Sequence, residues 1–408
     1  MKILFITAQT PWGRGEAFIL EELLELKHQG VDLLIIPRNP PKETFHKGAN
    51  ELLNNAIWLP LIDFKLIINF MKTLFTTVSF WKIILILLFS SRNPWIFIKN
   101  LAVVPKGIFI AEMITKENIE HIHAHWGSTT ATMAYIISRL TGIPWSFTLH
   151  RWDIKEGNML KEKVKSARFV RCISEHGKHE LLEIFGGNYL ERIKVIHMGV
   201  KTPIDASESD EPKGFFTIVT PANLLEVKGH KYLIEACLNL VRQGIKNFQC
   251  FFYGDGPLRV KLESLIREKK LTNFVKMPGV LPHEKLIEIY KNKEIDLVVL
   301  PSITTKTEHE GIPVSLMEAM AYGIPVISTN TGGIPELLSR GAGIIVEEKS
   351  PQKLAEAIIK TMKDTDFRKE LSKRGFQRIK EDFNIGKTTK ILLKLMQVEL
   401  PPSNRTPL

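Results

Sequence analysis

The sequence predicts an α/β protein built from two tandem doubly wound, Rossmann-like domains. Short β-branched or aromatic apolar runs alternate with longer amphipathic stretches, which is typical of βα units and parallel sheets. The chain has 408 residues, which is enough for two domains of about 200 residues each. Near its middle, the segment KTPIDASESDEPKG is rich in Pro, Ser and Asp and has no periodic apolar residues. We therefore interpret that segment as an interdomain linker.

The first half of the chain opens on a βα unit. The run KILFIT is strand-like and the loop QTPWGRG follows it. A helix is predicted from about Glu16, because Ile19, Leu23 and Leu26 share one helical face. The further predicted strands of this half are VDLLIIP, IEHIHAH, IPWSFTLH, ARFVRCIS and RIKVIHM. These elements define a first domain at residues 1–200, and the linker follows at residues 201–213.

The second half repeats the pattern. Its predicted strands, separated by helical stretches, are FFTIVT, FQCFFYG, FVKMPG, IDLVVLPS, IPVISTN and AGIIVE. They define a second domain at residues 214–386. A last helix is predicted at residues 387–400, where Ile391, Leu392, Leu395 and Met396 form one apolar stripe that needs a surface to pack on.

Composition narrows the class of protein. Apolar residues make up 44% of the chain and charged residues 24%, which is ordinary for a globular protein and excludes a fibrous or broadly disordered one. Cys172, Cys237 and Cys250 form no CxxC pair, so a disulfide framework is not expected and a reducing compartment is favoured. The N-terminal run MKILFITA lacks the long apolar segment of an export signal. We therefore expect a cytoplasmic protein.

The segment 64–111 has an unusual composition. It is rich in Leu, Ile, Phe and Trp, yet no window reaches the roughly 20 uninterrupted apolar residues of a membrane span. Its charged residues are six cations without one acid: Lys65, Lys72, Lys82, Arg92, Lys99 and Lys106. Two interpretations remain open, namely basic helices on an anionic membrane surface, and core helices whose lysines reach out to solvent. Nucleic acid is not an expected partner, because no recognisable binding module is present.

The strongest motif is the string EGIPVSLMEAMAYGIPVISTNTGGIPELL, which begins at Glu310. Pro313 suits a first helical position, where its missing N–H is harmless, so a helix is predicted to start near it. The free N–H groups of the first turn favour a phosphate, and Gly311 lets that phosphate approach the backbone. Glu318 follows within the helix, roughly 7.5 Å along its axis. Two acceptors for sugar hydroxyls therefore flank one anion site, which suits a nucleotide sugar.

This string resembles the retaining glycosyltransferases of family four, whose hallmark is two glutamates separated by seven residues in the pattern EGxPxxxxEAMAxGxPV. The resemblance implies the GT-B fold, with two domains facing across a cleft and a C-terminal helix that crosses back to the N-terminal domain. Glu310 is then the ligand of the transferred sugar and Glu318 that of the ribose. The diphosphate contacts fall to the backbone near Pro313, Val314 and Ser315. With HAHWG and SFTLHRWD, the string is most similar to the branch that builds bacterial surface polysaccharides.

Upstream, PANLLEVKGHKYLIEA resembles the family segment that carries an arginine and a lysine for the donor phosphates. Lys228 stands at the lysine position, where an ammonium stabilises the charge that grows on the leaving diphosphate. Asn223 stands at the arginine position and supplies no charge. Gly254, in the turn GDGP, is similar to the family's turn at the carboxyl edge of the sheet. The candidates to replace the missing arginine are Arg14, Arg151 and Lys306.

In the first domain, the resemblance implies contacts to the acceptor and to the transferred sugar. The loop WGRG, with Gly13, Arg14 and Gly15, borders the acceptor cleft in the family. His150, which ends a predicted strand, is similar to the family's histidine that reaches the transferred sugar. Asp153 is a further candidate on the acceptor side.

Two patterns resemble metal sites, but we interpret their residues as structural and not as metal ligands. His121, His123 and His125 alternate and share one strand face, but no acidic or cysteine ligand is arranged nearby in the sequence. The DxD of Asp364 and Asp366 precedes the helical run FRKELSKRG, so Asp366 is predicted to be a helix N-cap. We expect no catalytic metal and no cofactor.

The sequence thus predicts a retaining, hexosyl-type glycosyltransferase that moves a sugar from a nucleoside diphosphate sugar to a hydroxyl of a glycan or lipid-linked acceptor. Its catalytic residues are then His150, Lys228 and Glu310. In the front-face attack that the resemblance implies, the departing phosphate takes the acceptor proton. One alternative is a sugar-nucleotide epimerase on the same fold, against which the paired glutamates argue. Another is a non-catalytic sugar-nucleotide-binding protein in which Asn223 marks lost activity. Contact with the inner face of the cell membrane is expected if segment 64–111 binds lipid.

Overall fold

The computed structural model describes residues 1–13, 16–44, 46–76, 78–203, 214–306 and 308–397. The chain forms two compact units, of which the first is Met1–Met198 with the segment from Gly386 onward and the second is Gly199–Ile385. Arg14, Gly15, linker residues 204–213 and residues 398–400 of the predicted last helix lie outside the described residues.

The first unit contains one parallel six-stranded sheet. Its strands are Lys2–Thr7 (β1), Asp32–Pro37 (β2), His121–His125 (β3), Trp145–Leu149 (β4), Phe169–Cys172 (β5) and Ile193–Val195 (β6). Its helices are Ala17–His28 (α1), Asn50–Leu53 (α2), Phe64–Thr76 (α3), Val78–Ser90 (α4), Pro94–Met113 (α5), Thr129–Thr141 (α6), Arg151–Glu156 (α7), Leu160–Ser166 (α8) and Glu175–Phe185 (α9). The strand order is β2-β1-β3-β4-β5-β6, so the sheet reverses its direction of winding between β1 and β3.

Both faces of this sheet are covered, which explains why β1 is a continuous apolar run. Ile3 and Phe5 pack in one buried cluster with Leu23 of α1. Leu4 and Ile6 pack in a second buried cluster with residues of α5 and α6. Successive side chains of a strand point to opposite faces, so alternate residues of β1 enter different cores.

The second unit contains the other parallel six-stranded sheet. Its strands are Phe216–Pro221 (β7), Phe248–Tyr253 (β8), Val275–Gly279 (β9), Leu297–Leu300 (β10), Val326–Thr329 (β11) and Ile344–Val346 (β12). Its helices are His230–Arg242 (α10), Arg259–Glu268 (α11), His283–Lys291 (α12), Val314–Ala321 (α13), Ile334–Leu337 (α14), Pro351–Lys363 (α15) and Thr365–Asp382 (α16). The order β9-β8-β7-β10-β11-β12 is the 3-2-1-4-5-6 order of a dinucleotide-binding sheet.

The last helix, Ile385–Gln397 (α17), packs on the first sheet. Leu392 and Met396 are fully buried in the cluster that contains residues of β1 and α1. The Arg168 guanidinium donates to the carbonyl oxygen of Met396 at 2.7 Å and helps to hold the end of the helix. The prediction that the C-terminal helix returns to the N-terminal domain is confirmed.

Two predicted helix starts need correction. The N-cap of α16 is Asp364 and not Asp366: the Asp364 carboxylate accepts the N–H of Phe367 at 2.9 Å, and Asp366 lies in the first turn. A cap must precede the N–H group that it binds by about three residues, which only Asp364 does here. Pro313 is likewise the extended cap residue of α13, with φ −72° and ψ 118°, and the helix begins at Val314.

Candidate functional site

The carboxyl ends of β7 and β10 lie side by side where the winding of the second sheet reverses. Helices that follow these two strands go to opposite faces of the sheet, and the crevice left between them is where open α/β sheets bind ligands. Residues 222–229 follow β7 and residues 301–313 follow β10 at this edge. The predicted residues Lys228 and Glu310 stand one on each of these loops.

Lys228 and Glu310 form an ion pair across 82 residues of sequence. The Lys228 Nζ lies 2.9 Å from one carboxylate oxygen of Glu310 and 2.7 Å from the other. The Ser302 hydroxyl donates to the same carboxylate at 3.0 Å. The side chains of Lys228 and Glu310 are 20% and 12% exposed, so a ligand can reach the pair although most of its surface is shielded from bulk water.

Two glycines bring the backbones of this site close together. Gly229 has φ +67°, and a Cβ there would lie 1.8 Å from the carbonyl oxygen of Pro301. Gly332 has φ +54°, and a Cβ there would lie 1.7 Å from the carbonyl oxygen of Glu310. Any other residue would meet both a strained backbone and a steric clash at these positions. Gly229 therefore lets the loop bearing Lys228 approach the end of β10, and Gly332 lets the loop after β11 approach the backbone of Glu310.

The N-terminus of α13 opens beside Glu310. Val314 and Ser315, which begin the helix, are half-buried. A Cβ on Gly311 would have no heavy atom beyond its chain neighbours within 4 Å, so the space beside its backbone is open. The N–H groups of a first helical turn have no intrahelical acceptor and carry the positive end of the helix dipole. These groups can donate to an anion, and the phosphate contacts at this turn stay a prediction.

Glu318 lies in the second turn of α13 and is paired with a residue that the sequence did not suggest. The His283 Nε2, at the first residue of α12, lies 2.7 Å from Oε1 of Glu318. The Glu318 side chain is 17% exposed and that of His283 is 46% exposed. The carboxylate is therefore oriented from the solvent side by an imidazole before any ligand arrives.

The turn with Gly254 is packed against the loop with Asn223. A Cβ at Gly254 would lie 2.0 Å from the carbonyl oxygen of Ala222, and the Leu224 N–H donates to the carbonyl oxygen of Asp255 at 3.0 Å. Asn223 itself is exposed at this edge. Gly254 thus has a steric reason to be glycine that is independent of any ligand, and its predicted donor contact stays a prediction.

The three cations considered as replacements for the missing arginine have different positions. Lys306 is exposed on the loop that carries Glu310. Arg151 is the first residue of α7 in the first unit. Arg14 lies outside the described residues, as does Gly15.

The loop after β1 is organised by Glu16, which is 5% exposed. Its carboxylate accepts the N–H groups of Gln9 and Thr10 at 2.8 and 2.7 Å and also the indole N–H of Trp126. Gly13 is packed against this loop, because a Cβ there would lie 2.4 Å from the Cβ of Gln9. The predicted acceptor loop is thus shaped by a buried carboxylate at the β1/β3 reversal of the first sheet, where ligands are expected.

His150 follows β4 directly as the N-cap of α7, and its half-buried side chain joins a chain of buried polar groups. Its Nε2 lies 2.8 Å from Nε2 of His125, whose Nδ1 lies 3.7 Å from Glu22. Arg171 donates to the other oxygen of Glu22 at 2.6 Å. Burial lowers the pKa of His150 well below its usual value, and His125 and Arg171 lower it further. His150 is therefore a neutral imidazole near pH 7 that can exchange hydrogen bonds but adds no positive charge.

Glu22 stays ionised in this chain. Burial by itself would raise the pKa of Glu22, but the charge of Arg171 and the neighbouring His125 outweigh it and hold the pKa well below its usual range. The side chains of Glu22 and Arg171 are 1% and 0% exposed. The first unit thus contains a desolvated ion pair directly behind the two facing histidines.

Asp153 supports the turn that presents His150. It is 3% exposed, and its carboxylate accepts the backbone N–H of His150 at 3.0 Å. Burial raises the pKa of Asp153 to about 6, although hydrogen bonds from the backbone of His150 and Gly127 oppose the rise. The geometry gives Asp153 a positioning task, and its predicted contact with an acceptor stays a prediction.

The alternating histidines of β3 are fully buried. The Ser146 hydroxyl lies 2.7 Å from Nε2 of His121 and 2.8 Å from Nδ1 of His123. The Thr148 hydroxyl lies 3.0 Å from Nε2 of His123. Burial lowers the pKa of His121 to about 3. These contacts tie β3 to β4 and agree with the structural interpretation of the pattern.

Comparison with known families matches residues 202–378 to the profile described as "Glycosyl transferases group 1". The putative colanic acid biosynthesis glycosyltransferase WcaL of Salmonella typhimurium is 36% identical over 211 residues, which are 51% of this chain and 51% of WcaL. The chain therefore spans only about half the length of this curated relative. The alpha-D-kanosaminyltransferase of Streptomyces kanamyceticus is 31% identical over 280 residues, which are 62% of this chain and 70% of that enzyme. The chain belongs to the group 1 glycosyl transferases.

Solved structures agree on the fold of this family member. The crystal structure of Anabaena HepE in complex with UDP has 18% sequence identity and a TM-score of 0.68, with 97% of this chain and 99% of HepE covered. A glycosyltransferase from Rickettsia africae has 21% identity and a TM-score of 0.68, with 97% of each chain covered. The GT-B fold implied by the sequence resemblance is confirmed.

Several residues near the carboxyl edges of the two sheets were not identified from the sequence. Glu16 and Arg171 stand in ordinary helical or strand patterns, and nothing in their spacing separates them from solvent-facing charges. His283 is an isolated histidine 35 residues from Glu318. One signal was available: Glu22 falls between Ile19 and Leu23 on the buried side of α1, and a charge on an apolar face favours a buried partner.

Proposed function

We propose that this group 1 glycosyl transferase moves a hexose-type sugar from a nucleoside diphosphate sugar to a hydroxyl of a glycan or lipid-linked acceptor, with retention of configuration. The observation that carries the proposal is the set of Lys228, Glu310 and the α13 N-terminus at the winding reversal of a Rossmann sheet. WcaL is named for colanic acid biosynthesis and HepE was crystallised with UDP. These relatives support a polysaccharide or glycolipid product and a nucleotide sugar donor.

The pair of Lys228 and Glu310 can also bind a phosphate. An ammonium has three N–H donors, and two of those on Lys228 point to the carboxylate of Glu310. The remaining donor is available to the diphosphate, together with the first-turn amides near Val314 and Ser315. Glu310 then accepts from hydroxyls of the transferred sugar, and Glu318 accepts from the ribose. His150 remains the proposed contact to the transferred sugar from the first unit.

In the proposed reaction, the bond between the anomeric carbon and the phosphate oxygen breaks and its electron pair stays on the diphosphate. The acceptor oxygen bonds to the anomeric carbon from the same face, and its proton passes to the departing phosphate oxygen. Negative charge on the diphosphate grows as the bond breaks, so contacts from Lys228 and the amides strengthen in the transition state. We propose that these groups make a divalent metal unnecessary.

The first experiment is a thermal-shift screen of UDP-, GDP-, ADP- and dTDP-sugars with the purified chain. A ligand at one hundred times its dissociation constant stabilises the folded state by about 2.7 kcal/mol. With the best donor, we expect slow release of nucleoside diphosphate and, by NMR, transfer to glycan acceptors with the donor's anomeric configuration. Accumulation of an epimeric nucleotide sugar would instead identify an epimerase. Tight binding without hydrolysis or transfer to any acceptor would point to a non-catalytic binding protein.

A further inference from the structure

Three helices of the first unit expose an apolar surface. On α3, α4 and α5, the side chains of Phe64, Phe89 and Trp95 are 76%, 83% and 64% exposed. Ile68, Trp81 and Ile98 are each more than half exposed as well. We call these six residues the α3–α5 surface. The three helices are neighbours, and soluble proteins rarely expose so many large apolar side chains on adjacent helices, so such a surface indicates a partner.

Packing within the unit accounts only for the opposite faces of these helices. Leu66, Phe80, Ile83 and Leu87 are at most 3% exposed, and the last three belong to the cluster that covers the sheet. The sequence VSFWKIILILLFS of α4 is apolar on nearly all sides. A helix that is apolar all round is expected to be buried all round. The core-packing interpretation of the segment is therefore right for the inner side and leaves the outer side unexplained.

The exposed charged residues of segment 64–111 are all cations, although fewer of the six cations are exposed than the sequence suggested. Lys65, Lys72, Lys82 and Arg92 are exposed. Lys106 is a correction, because it is fully buried and its ammonium donates to backbone carbonyl oxygens at the end of β2, at 2.6 and 3.0 Å. No acidic residue occurs between residues 64 and 111. Four exposed cations therefore lie within an acid-free, apolar segment.

We propose that the α3–α5 surface docks on a bilayer that contains anionic phospholipid. Lipid headgroups neutralise the four cations while the acyl boundary accepts the aromatic side chains, and Trp is enriched at such interfaces. A second copy of this chain fits less well, because a symmetric contact would bring two sets of these cations together. Among the described residues no helix is both long and apolar enough to cross a bilayer. In this proposal the helices lie along the membrane surface.

The docked surface adjoins the segment that follows His150. Lys99 of α5 forms an ion pair with Glu156 of α7 at 3.1 Å. The Arg92 guanidinium donates to the carbonyl oxygen of Lys155, also on α7, at 3.5 Å. Because α7 begins directly after His150, the membrane would lie near the carboxyl edge of the first sheet. We therefore assign a lipid-linked acceptor to that edge, and this assignment rests on the proposed function.

Vesicle co-sedimentation tests the docking without donor, acceptor or activity, so its result does not depend on the proposed reaction. Vesicles of phosphatidylcholine alone are compared with vesicles that also contain anionic phosphatidylglycerol, at low and high salt. We expect binding only with the anionic lipid, and weaker binding as the salt concentration rises. A folded protein that stays in the supernatant at low salt would overturn the proposal.

Two sets of variants locate the contact. Each surface cation contributes about fivefold in affinity near an anionic leaflet, so the triple change of Lys65, Lys72 and Lys82 to Gln should lower affinity on the order of 100-fold. The matched control changes Lys246, Lys353 and Lys369 to Gln; these lysines are exposed in the second unit. The control lowers the net charge equally and should bind nearly as the parent does. Equal losses in both triples would show attraction by overall charge and contradict a specific surface.

Tryptophan quenching tests the apolar contact. Vesicles with brominated acyl chains should quench part of the fluorescence, and the quenching should largely disappear when Trp81 and Trp95 are changed to Phe. A control change of Trp145 to Phe, at a side chain buried in the core of the first unit, should leave most of the quenching. If Phe89→Ser and Trp95→Ser leave vesicle binding intact but convert a dimer to a monomer in solution, the surface is a self-association face and the proposal is wrong.

Discussion

Lys228→Met removes the ammonium from the edge of the second sheet while keeping most of the side-chain volume. In the folded protein, this change leaves the Glu310 carboxylate, 12% exposed, with the Ser302 hydroxyl at 3.0 Å but without its counter-ion. Exposed ion pairs contribute about 0.2 to 1 kcal/mol, and breaking a fully buried pair costs about 3 to 5 kcal/mol. A half-shielded pair lies between these limits. We therefore expect the free energy of unfolding to fall by about 1 to 3 kcal/mol.

The effect on turnover should be larger than the effect on donor binding. Removing one preorganised group that stabilises transition-state charge costs about 2.7 to 4 kcal/mol, or 10²- to 10³-fold in kcat. The contact to the diphosphate strengthens as the glycosidic bond breaks, so kcat and kcat/KM should fall together while donor affinity changes less. Lys228→Arg, which keeps the charge, should retain more turnover than Lys228→Met.

Urea unfolding and steady-state kinetics with the donor from the thermal-shift screen provide the measurements. A double-mutant cycle with Glu310→Gln isolates the coupling of the pair. Lys353→Met, at an exposed pair with Glu356, is the control and should change the free energy of unfolding by less than about 0.5 kcal/mol. If Lys228→Met weakens donor binding but leaves kcat unchanged, Lys228 only anchors the donor and the transition-state argument fails.

Three further predictions concern the ribose contact, the metal and the buried ion pair. Glu318→Ala should weaken nucleotide binding by roughly 10- to 150-fold, the value of a hydrogen bond to a charged acceptor, as measured by calorimetry; unchanged affinity in a folded variant would refute this role. Activity should survive EDTA, and loss on chelation with rescue by manganese would overturn metal independence. Glu22→Gln should lower the free energy of unfolding by about 3 to 5 kcal/mol at pH 7, because Arg171 stays buried without its counter-charge. Since the folded-state pKa of Glu22 is depressed, its stabilisation is present above about pH 4.3 and is lost as the pH falls below that value. The free energy of unfolding of the variant, measured with urea, should therefore fall less steeply than that of the parent as the pH is lowered. An unchanged pH dependence would contradict the assignment of an ionised Glu22.

The sequence by itself determined most of the helices and strands and the location on them of the residues proposed to bind the donor. The stretch ILFI of β1 and the stretch LVVL of β10 are buried and apolar throughout. Such a run involves only neighbouring residues, so it can be recognised from one sequence. The string from Glu310 to Glu318 was equally informative, because a helix that starts at a phosphate requires Gly and Pro at set positions along the chain. Its interpretation as a group 1 glycosyl transferase motif is confirmed by the family match.

Cap positions were less well determined. Asp364 and Asp366 both suit the start of α16 in composition, and the choice depends on which carboxylate reaches the N–H of Phe367. A shift of one or two residues leaves the apolar periodicity of a helix almost unchanged, so the pattern does not settle its first residue.

Only the tertiary structure decided which charges meet and which apolar faces stay in water. Glu22 and Arg171 are 149 residues apart, and their pairing behind His150 depends on how α1 and β5 pack on one sheet. In the same way, α4 is apolar on both sides, so its sequence could not show that Phe80 is buried while Phe89 is exposed. The spacing of apolar residues depends on residues that are close together in the sequence. Contacts between distant segments and the exposure of a face depend on what the folded chain places opposite them, and that information is spread over residues far apart in the sequence.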